Sequence, residues 1–187
     1  FTDITSTQSP AAGININNST GTFGVTGTTT ISGAALSGIN IMGSNGLTST
    51  FLNVAISDVG TGAFDNGVTL STAGAVNILG GTINGTTGDG INSSNTNLTA
   101  TGLNIGGTGT IAGDGIEIVN TGTARTVNLS NNTIKANASG ISTKDSGTAK
   151  ELLLTLDGNT LQSLNGGSLA LSVIGIGPNS TISQSMN

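Results

Sequence analysis

The sequence predicts an all-β chain, a right-handed parallel β-helix (β-solenoid) of about seven coils with a period of about 25 residues. Three observations carry that expectation. First, a glycine followed by Ile or Val recurs at Gly13, Gly38, Gly67, Gly90, Gly115 and Gly140, and Ser168-Leu169-Ala170-Leu171 makes a degenerate seventh start; the intervals are 25, 29, 23, 25, 25 and 28 residues. Second, each start is followed by an apolar residue, another two on and a third seven on. This triad reads Leu52/Val54/Val59, Val76/Ile78/Ile83, Leu98/Ala100/Ile105, Val127/Leu129/Ile134 and Leu154/Leu156/Leu161. Phe23/Val25/Ile31 and Ile174/Ile176/Ile182 fit with one residue inserted. Third, the alternation has period two, as a strand with one buried face requires, and no helical run separates the strands. Without crossover helices, successive strands lie parallel only if the chain winds as a coil, each strand pairing with its equivalent one unit later. Right-handedness follows the rule for parallel crossovers.

Taken in order, residues 1–12 lack the repeat and contain Pro10, so they read as a cap or as the end of a preceding coil; residues 13–187 read as one β-helix domain, a fragment of a longer chain. Between Pro10 and Pro178 no proline occurs. A ladder strand needs its N–H, so this interval suits a continuous sheet. Ile14, Ile39, Val68, Ile91, Ile116 and Ile141 are expected to form one inward stack, and Ile83, Ile105, Ile134 and Leu161 another. The residue before the third apolar position gives an outward column of Thr30, Thr82, Thr133, Thr160 and Thr181, with Asp58 and Asn104 as exceptions. Asn132 and Asn159 fall at equivalent places and predict an internal Asn ladder. The longest regular unit carries its surplus near Gly60–Asn66, an expected protruding loop, and Lys144–Glu151 reads as a second exposed loop. At about 4.8 Å per coil the rod would be roughly 34 Å long.

Composition narrows the function classes. Charged residues are 7 % of the chain, against about 25 % in ordinary domains, and Gly, Ser, Thr and Asn take their place. A charge repeated at one coil position would repel its own copies, whereas Asn, Thr and Ser hydrogen-bond along the stack. Leu, Ile, Val and Phe number 47 of 187 residues, too many and too regularly placed for a disordered tract. With no Cys and no His, disulfides, thiol chemistry and common zinc sites are excluded. A net charge of −5 with four basic residues argues against nucleic acid or an anionic membrane as partner. No apolar run approaches the length of a membrane helix.

The candidate chemistry sits at one corner. Asp89 and Asp114 precede the start glycines of neighbouring coils and should stack, with Asn66 and Ser139 extending the column. Such a pair reads as an oxygen-lined calcium site, as a carboxylate pair for glycoside hydrolysis, or as two solvated turn acids. The turn reading is preferred, because calcium wants six to eight oxygens and directly stacked acids lie closer than a retaining glycosidase holds its pair. Arg125, the only arginine, has no acid cluster at a predictable distance. Asp157-Gly158-Asn159 is tight-turn chemistry. No catalytic residues are assigned, and calcium is the one ion the corner suits.

Phrases such as Gly88-Asp89-Gly90-Ile91-Asn92 and Leu129-Ser130-Asn131-Asn132-Thr133-Ile134 resemble the repeats of the right-handed parallel β-helix proteins, among them pectin-degrading enzymes and autotransporter passenger domains. The resemblance covers residues 13–183. It implies the fold, and function only as an expectation, because one scaffold hosts lyases, hydrolases and adhesins. The expected function is a non-catalytic stalk segment of a secreted bacterial surface protein, an adhesin displayed at the cell surface. Its expected partners are a host-cell or glycan surface, or neighbouring copies of itself. The alternatives are a carbohydrate-active β-helix whose catalytic coils lie elsewhere, and a structural filament or sheath subunit.

Overall fold

In the computed structural model, which describes residues 1–62, 64–145, 151–166, 168–174 and 180–185, the described chain is β-strand and turn without a helix. Its strands pair in parallel, each with its equivalent one coil away, and build a solenoid of about six turns with a period of about 26 residues.

The turns have three faces. The first is a seven-stranded sheet of Ile14–Asn17, Ile39–Met42, Val68–Ser71, Ile91–Ser94, Ile116–Asn120, Ile141–Asp145 and Leu171–Ile174. Here the expected inward stack forms in register: Ile14 on Ile39, then Val68, Ile91, Ile116 and Ile141. The second face carries Val76, Leu98, Val127 and Leu154 in one inward column and Ile78, Ala100, Leu129 and Leu156 in the next. The third carries Ile31, Ile56, Ile83, Ile105, Ile134 and Leu161. Most of these side chains are buried, and together they form the single core cluster that no one coil could cover alone.

In two early turns, one strand serves both the second and third faces: Gly21–Ser32 and Leu47–Val59 run through the corner unbroken. Their register shifts between Val25 and Thr28, which is the one-residue insertion seen in the first triad. Later turns break at that corner. There Asn131 and Gly158 take positive φ values of 55° and 60°, a backbone state that Asn and Gly adopt most readily.

Four sequence expectations need correction. Leu52/Val54/Val59 is not the triad of its turn. Ser49 pairs with Val76, Phe51 with Ile78 and Ile56 with Ile83, so Ser49/Phe51/Ile56 fills those positions while Leu52 is half exposed. A polar residue at an inward position had hidden the phase. The Thr column is likewise interrupted by Ala55 in place of Asp58, because Ala55 lies between Thr30 and Thr82. The seventh start is displaced by two residues: Leu171 pairs with Ile141, the Ala170 carbonyl accepts the Ile141 N–H, and Leu169 is exposed. Finally, Ile182 stacks on Leu154 and Thr181 on Leu153, on the second face rather than above Leu161. The seventh turn thus has two described strands and no third, which is why about six turns are complete where seven were expected.

The N-terminal stretch also joins the ladder, since Ile4–Thr7 pairs with Thr29–Ser32. The predicted Asn ladder is present. Asn132 is buried; its Oδ1 accepts the Leu103 N–H at 2.9 Å, its Nδ2 donates to the Ala100 carbonyl at 3.0 Å, and Asn159 Oδ1 receives its backbone N–H at 3.0 Å.

Candidate functional site

The corner between the third and first faces is built by the residue before each start glycine. From Ser37 to Asp114 its side-chain oxygen accepts the backbone N–H of its equivalent one coil on, while Ala12, before Gly13, has no such oxygen. Ser37 Oγ takes the Asn66 N–H at 3.3 Å, Asn66 Oδ1 the Asp89 N–H at 2.7 Å, Asp89 Oδ1 the Asp114 N–H at 2.8 Å, and Asp114 Oδ1 the Ser139 N–H at 2.6 Å. Backbone bonds run the other way across the same corner, with Gly90 donating to the Asp114 carbonyl at 2.9 Å and Gly115 to the Ser139 carbonyl at 2.8 Å. A short side chain with an oxygen at its γ or δ position reaches that N–H and a longer one overshoots it, so Ser, Asn and Asp alternate in the column. Asp89 and Asp114 are therefore stacked as the repeat implied, and each spends one oxygen on holding coils together.

The third residue after each of them faces outward on the first face and stacks as well, Asn92 pairing with Glu117. Asn92 Nδ2 donates to Asp89 Oδ2 at 2.9 Å and also to Glu117 Oε2, so both amide hydrogens are taken. Both oxygens of Asp89 are engaged, and its carboxyl group also lies within hydrogen-bond reach of the Glu117 carboxyl. Burial raises the Asp89 pKa above the usual carboxylate range and the Asp114 charge adds to it, while the donated hydrogen bonds pull the other way. Glu117 is raised too, first by burial and then by the charges of Asp89 and Asp114.

Together these residues line a groove of about 540 Å³ with Phe64, Asn66, Thr87, Gly88, Ala112 and Gly113. Two glycines keep it open at close quarters. A Cβ on Gly113 would lie 2.2 Å from Asp89 Oδ1, and one on Gly88 would lie 2.8 Å from the Phe64 carbonyl carbon. The Gly60–Asn66 loop supplies one wall. Asp65 Oδ2 accepts the N–H groups of Thr61 and Gly62, at 3.2 and 2.7 Å, and the Asp65 carbonyl accepts the Gly88 N–H at 2.8 Å. That loop presents Phe64 with 86 % of its surface in solvent. The chain's other three phenylalanines stack in one row, Phe1 on Phe23 and Phe23 on Phe51.

Calcium finds little at this corner. Among the described residues no three Asp or Glu side chains gather in a position to hold a metal ion, and both Asp89 oxygens already accept N–H donors. Arg125 does not line the groove; it lies in Arg125–Ser130 with its Nε buried and unbonded. The first two residues of the second expected loop are strand instead. The strand Ile141–Asp145 includes Lys144 and Asp145, with Asp145 buried, and residues 146–150 lie outside the described residues. Phe64, Asn92 and Glu117 were not singled out from sequence, yet the last two were within reach: each lies three residues after an aspartate of the corner column, so stacking the aspartates stacks them too.

Compared with the sequence models of known families, with curated proteins and with solved structures, the chain matches none.

Proposed function

We propose that this chain is a non-catalytic, rod-like segment of a secreted bacterial surface protein, a stalk of the adhesin kind that presents polar faces and loops for binding to a host-cell or glycan surface. The observation that carries this reading is how the polar side chains are used. Inward and corner groups such as Asn132, Asp89 and Asp114 tie coil to coil, while the outward columns are Thr, Asn and Ser with few charges. A solenoid without cysteine suits a chain that crosses an envelope unfolded and then winds up coil by coil, since each coil templates the next. The acid pair supports catalysis poorly, because Asp89 and Asp114 each hold a backbone N–H that the neighbouring coil requires.

The test is adherence of the purified segment to host cells and to a glycan array, with electron microscopy of the same sample. Dose-dependent adherence by single rods supports the stalk. Ordered fibres without adherence would replace it with the filament reading, and release of unsaturated products from polyuronates would replace it with the enzyme.

A further inference from the structure

The chain is longer between Ile105 and Gly115 than between Ile83 and Gly90 or between Ile134 and Gly140. The surplus includes the loop Gly106-Gly107-Thr108-Gly109-Thr110, which with Lys135 and Leu164 lines a surface pocket of about 210 Å³. The loop is pinned at three points: Gly106 donates to the Ile83 carbonyl at 2.8 Å, Thr108 to Asn84 Oδ1 at 3.1 Å, and the Thr110 carbonyl accepts the Thr86 N–H at 3.0 Å. Between those bonds the N–H groups of Gly107, Gly109 and Thr110 have no acceptor among the described residues. Gly106, at a φ of 74°, packs so closely on the next coil that a Cβ would run into the Lys135 carbonyl oxygen, so loop and lysine are held side by side. Lys135 lies between the buried Ile134 and Ala136 in Thr133–Ala136, which directs its side chain outward, and it pairs with no acid among the described residues.

We propose that this pocket holds the acid group of an anionic sugar, a carboxylate or sulfate oxyanion, with Lys135 as the counter-charge and the free N–H groups of the loop as donors. The inference deepens the stalk reading by naming a glycan class for one patch of its surface, and rests on that reading only in taking a glycan as the ligand. Backbone N–H groups in a glycine-rich turn form a concavity that suits an anion, and a lysine beside it adds a full charge. Thr108 and Thr110 bring two hydroxyl donors, while no Asp or Glu lines the pocket. A cation would meet Lys135 and no carboxylate. A neutral sugar would leave the lysine without a counter-charge. A long polyanion would run over a chain of net charge −5, which favours a single acid group instead. At about 210 Å³ the pocket is smaller than a drug-sized cleft and admits an acid group with part of one sugar ring. Leu164, 46 % exposed, gives that ring an apolar edge to rest on.

The experiment is a titration of the isotope-labelled intact chain with sodium glucuronate and with glucose sulfate, followed by amide chemical shifts, with glucose and glucosamine as controls. The Gly107, Gly109 and Thr110 amides should shift saturably with an acid sugar, with weaker binding at high salt, and the tighter probe distinguishes carboxylate from sulfate. Lys135→Gln should weaken that probe about tenfold, and Lys135→Arg should restore most of the affinity. Lys135 faces outward on its strand, so both variants leave the core intact. Equal shifts with glucose, shifts with glucosamine alone, amides that stay still with both acid sugars, or an unchanged affinity in Lys135→Gln would each overturn the site. Failure of the chain to adhere to cells would overturn the stalk reading and leave a positive titration standing, whereas unmoved amides in an adherent chain would sink the site alone.

Discussion

Replacing Gly115 by alanine tests the packing rule that makes glycine open each turn. A Cβ built on Gly115 lies 2.1 Å from Ile134 Cγ2 and 2.5 Å from the Gly140 carbonyl oxygen, where ordinary contacts begin near 3.4 Å. Ile134 is buried in its own stack, so its methyl cannot swing into solvent. The Gly140 oxygen accepts the Ile116 N–H at 3.0 Å, so moving it strains a ladder bond as well. Overpacking of this kind costs about 1–3 kcal/mol, and a strained buried hydrogen bond adds about 1 kcal/mol. The sum, roughly 2–4 kcal/mol, corresponds to a fall in Tm on the order of 4–16 °C for a chain of this size. Gly24→Ala is the control, because nothing lies within 4 Å of its Cβ. Thermal and urea unfolding followed by circular dichroism gives both values. A Gly115→Ala protein that melts with wild type, or no more than Gly24→Ala below it, would refute the account of the glycine column.

Further tests address the core, the Asn ladder and the acids. Ile116→Ala removes a fully buried side chain from the first-face stack and should cost about 2–5 kcal/mol by urea unfolding. Asn132→Ala strands the buried Leu103 N–H and should cost about 1–3 kcal/mol, whereas the surface change Thr133→Ser should stay within about 0.5 kcal/mol. For pH, the raised pKa of Glu117 means that the folded state holds more protons than the unfolded one above about pH 4. Stability should therefore fall as pH rises from there through the raised value. Glu117→Gln should melt above wild type at neutral pH and lose that advantage near pH 4; an advantage independent of pH would contradict the assignment.

The fold was legible because its rule is periodic. Glycine followed by Ile or Val at near-constant intervals, with an apolar triad behind it, specifies stacked parallel strands whatever lies between. The inward stacks, the Asn132 and Asn159 ladder and the Asp89 and Asp114 stack all follow from that period, since equal offsets place equal residues one above another. What the sequence left open was phase wherever the period lapses. Ser49 at an inward position shifted the second triad by three residues, and the long unit after Gly140 moved the seventh start by two and Ile182 to another face. A repeat fixes register only through apolar residues, so a polar inward residue or an insertion erases the marker. The groove required the tertiary structure for a different reason. Phe64 belongs to a loop outside the repeat, and the bond from Gly88 N–H to the Asp65 carbonyl brings that loop to the rim of the groove that Asp89 and Glu117 line. Backbone hydrogen bonds between coils determine that neighbourhood, and no spacing along the chain encodes it.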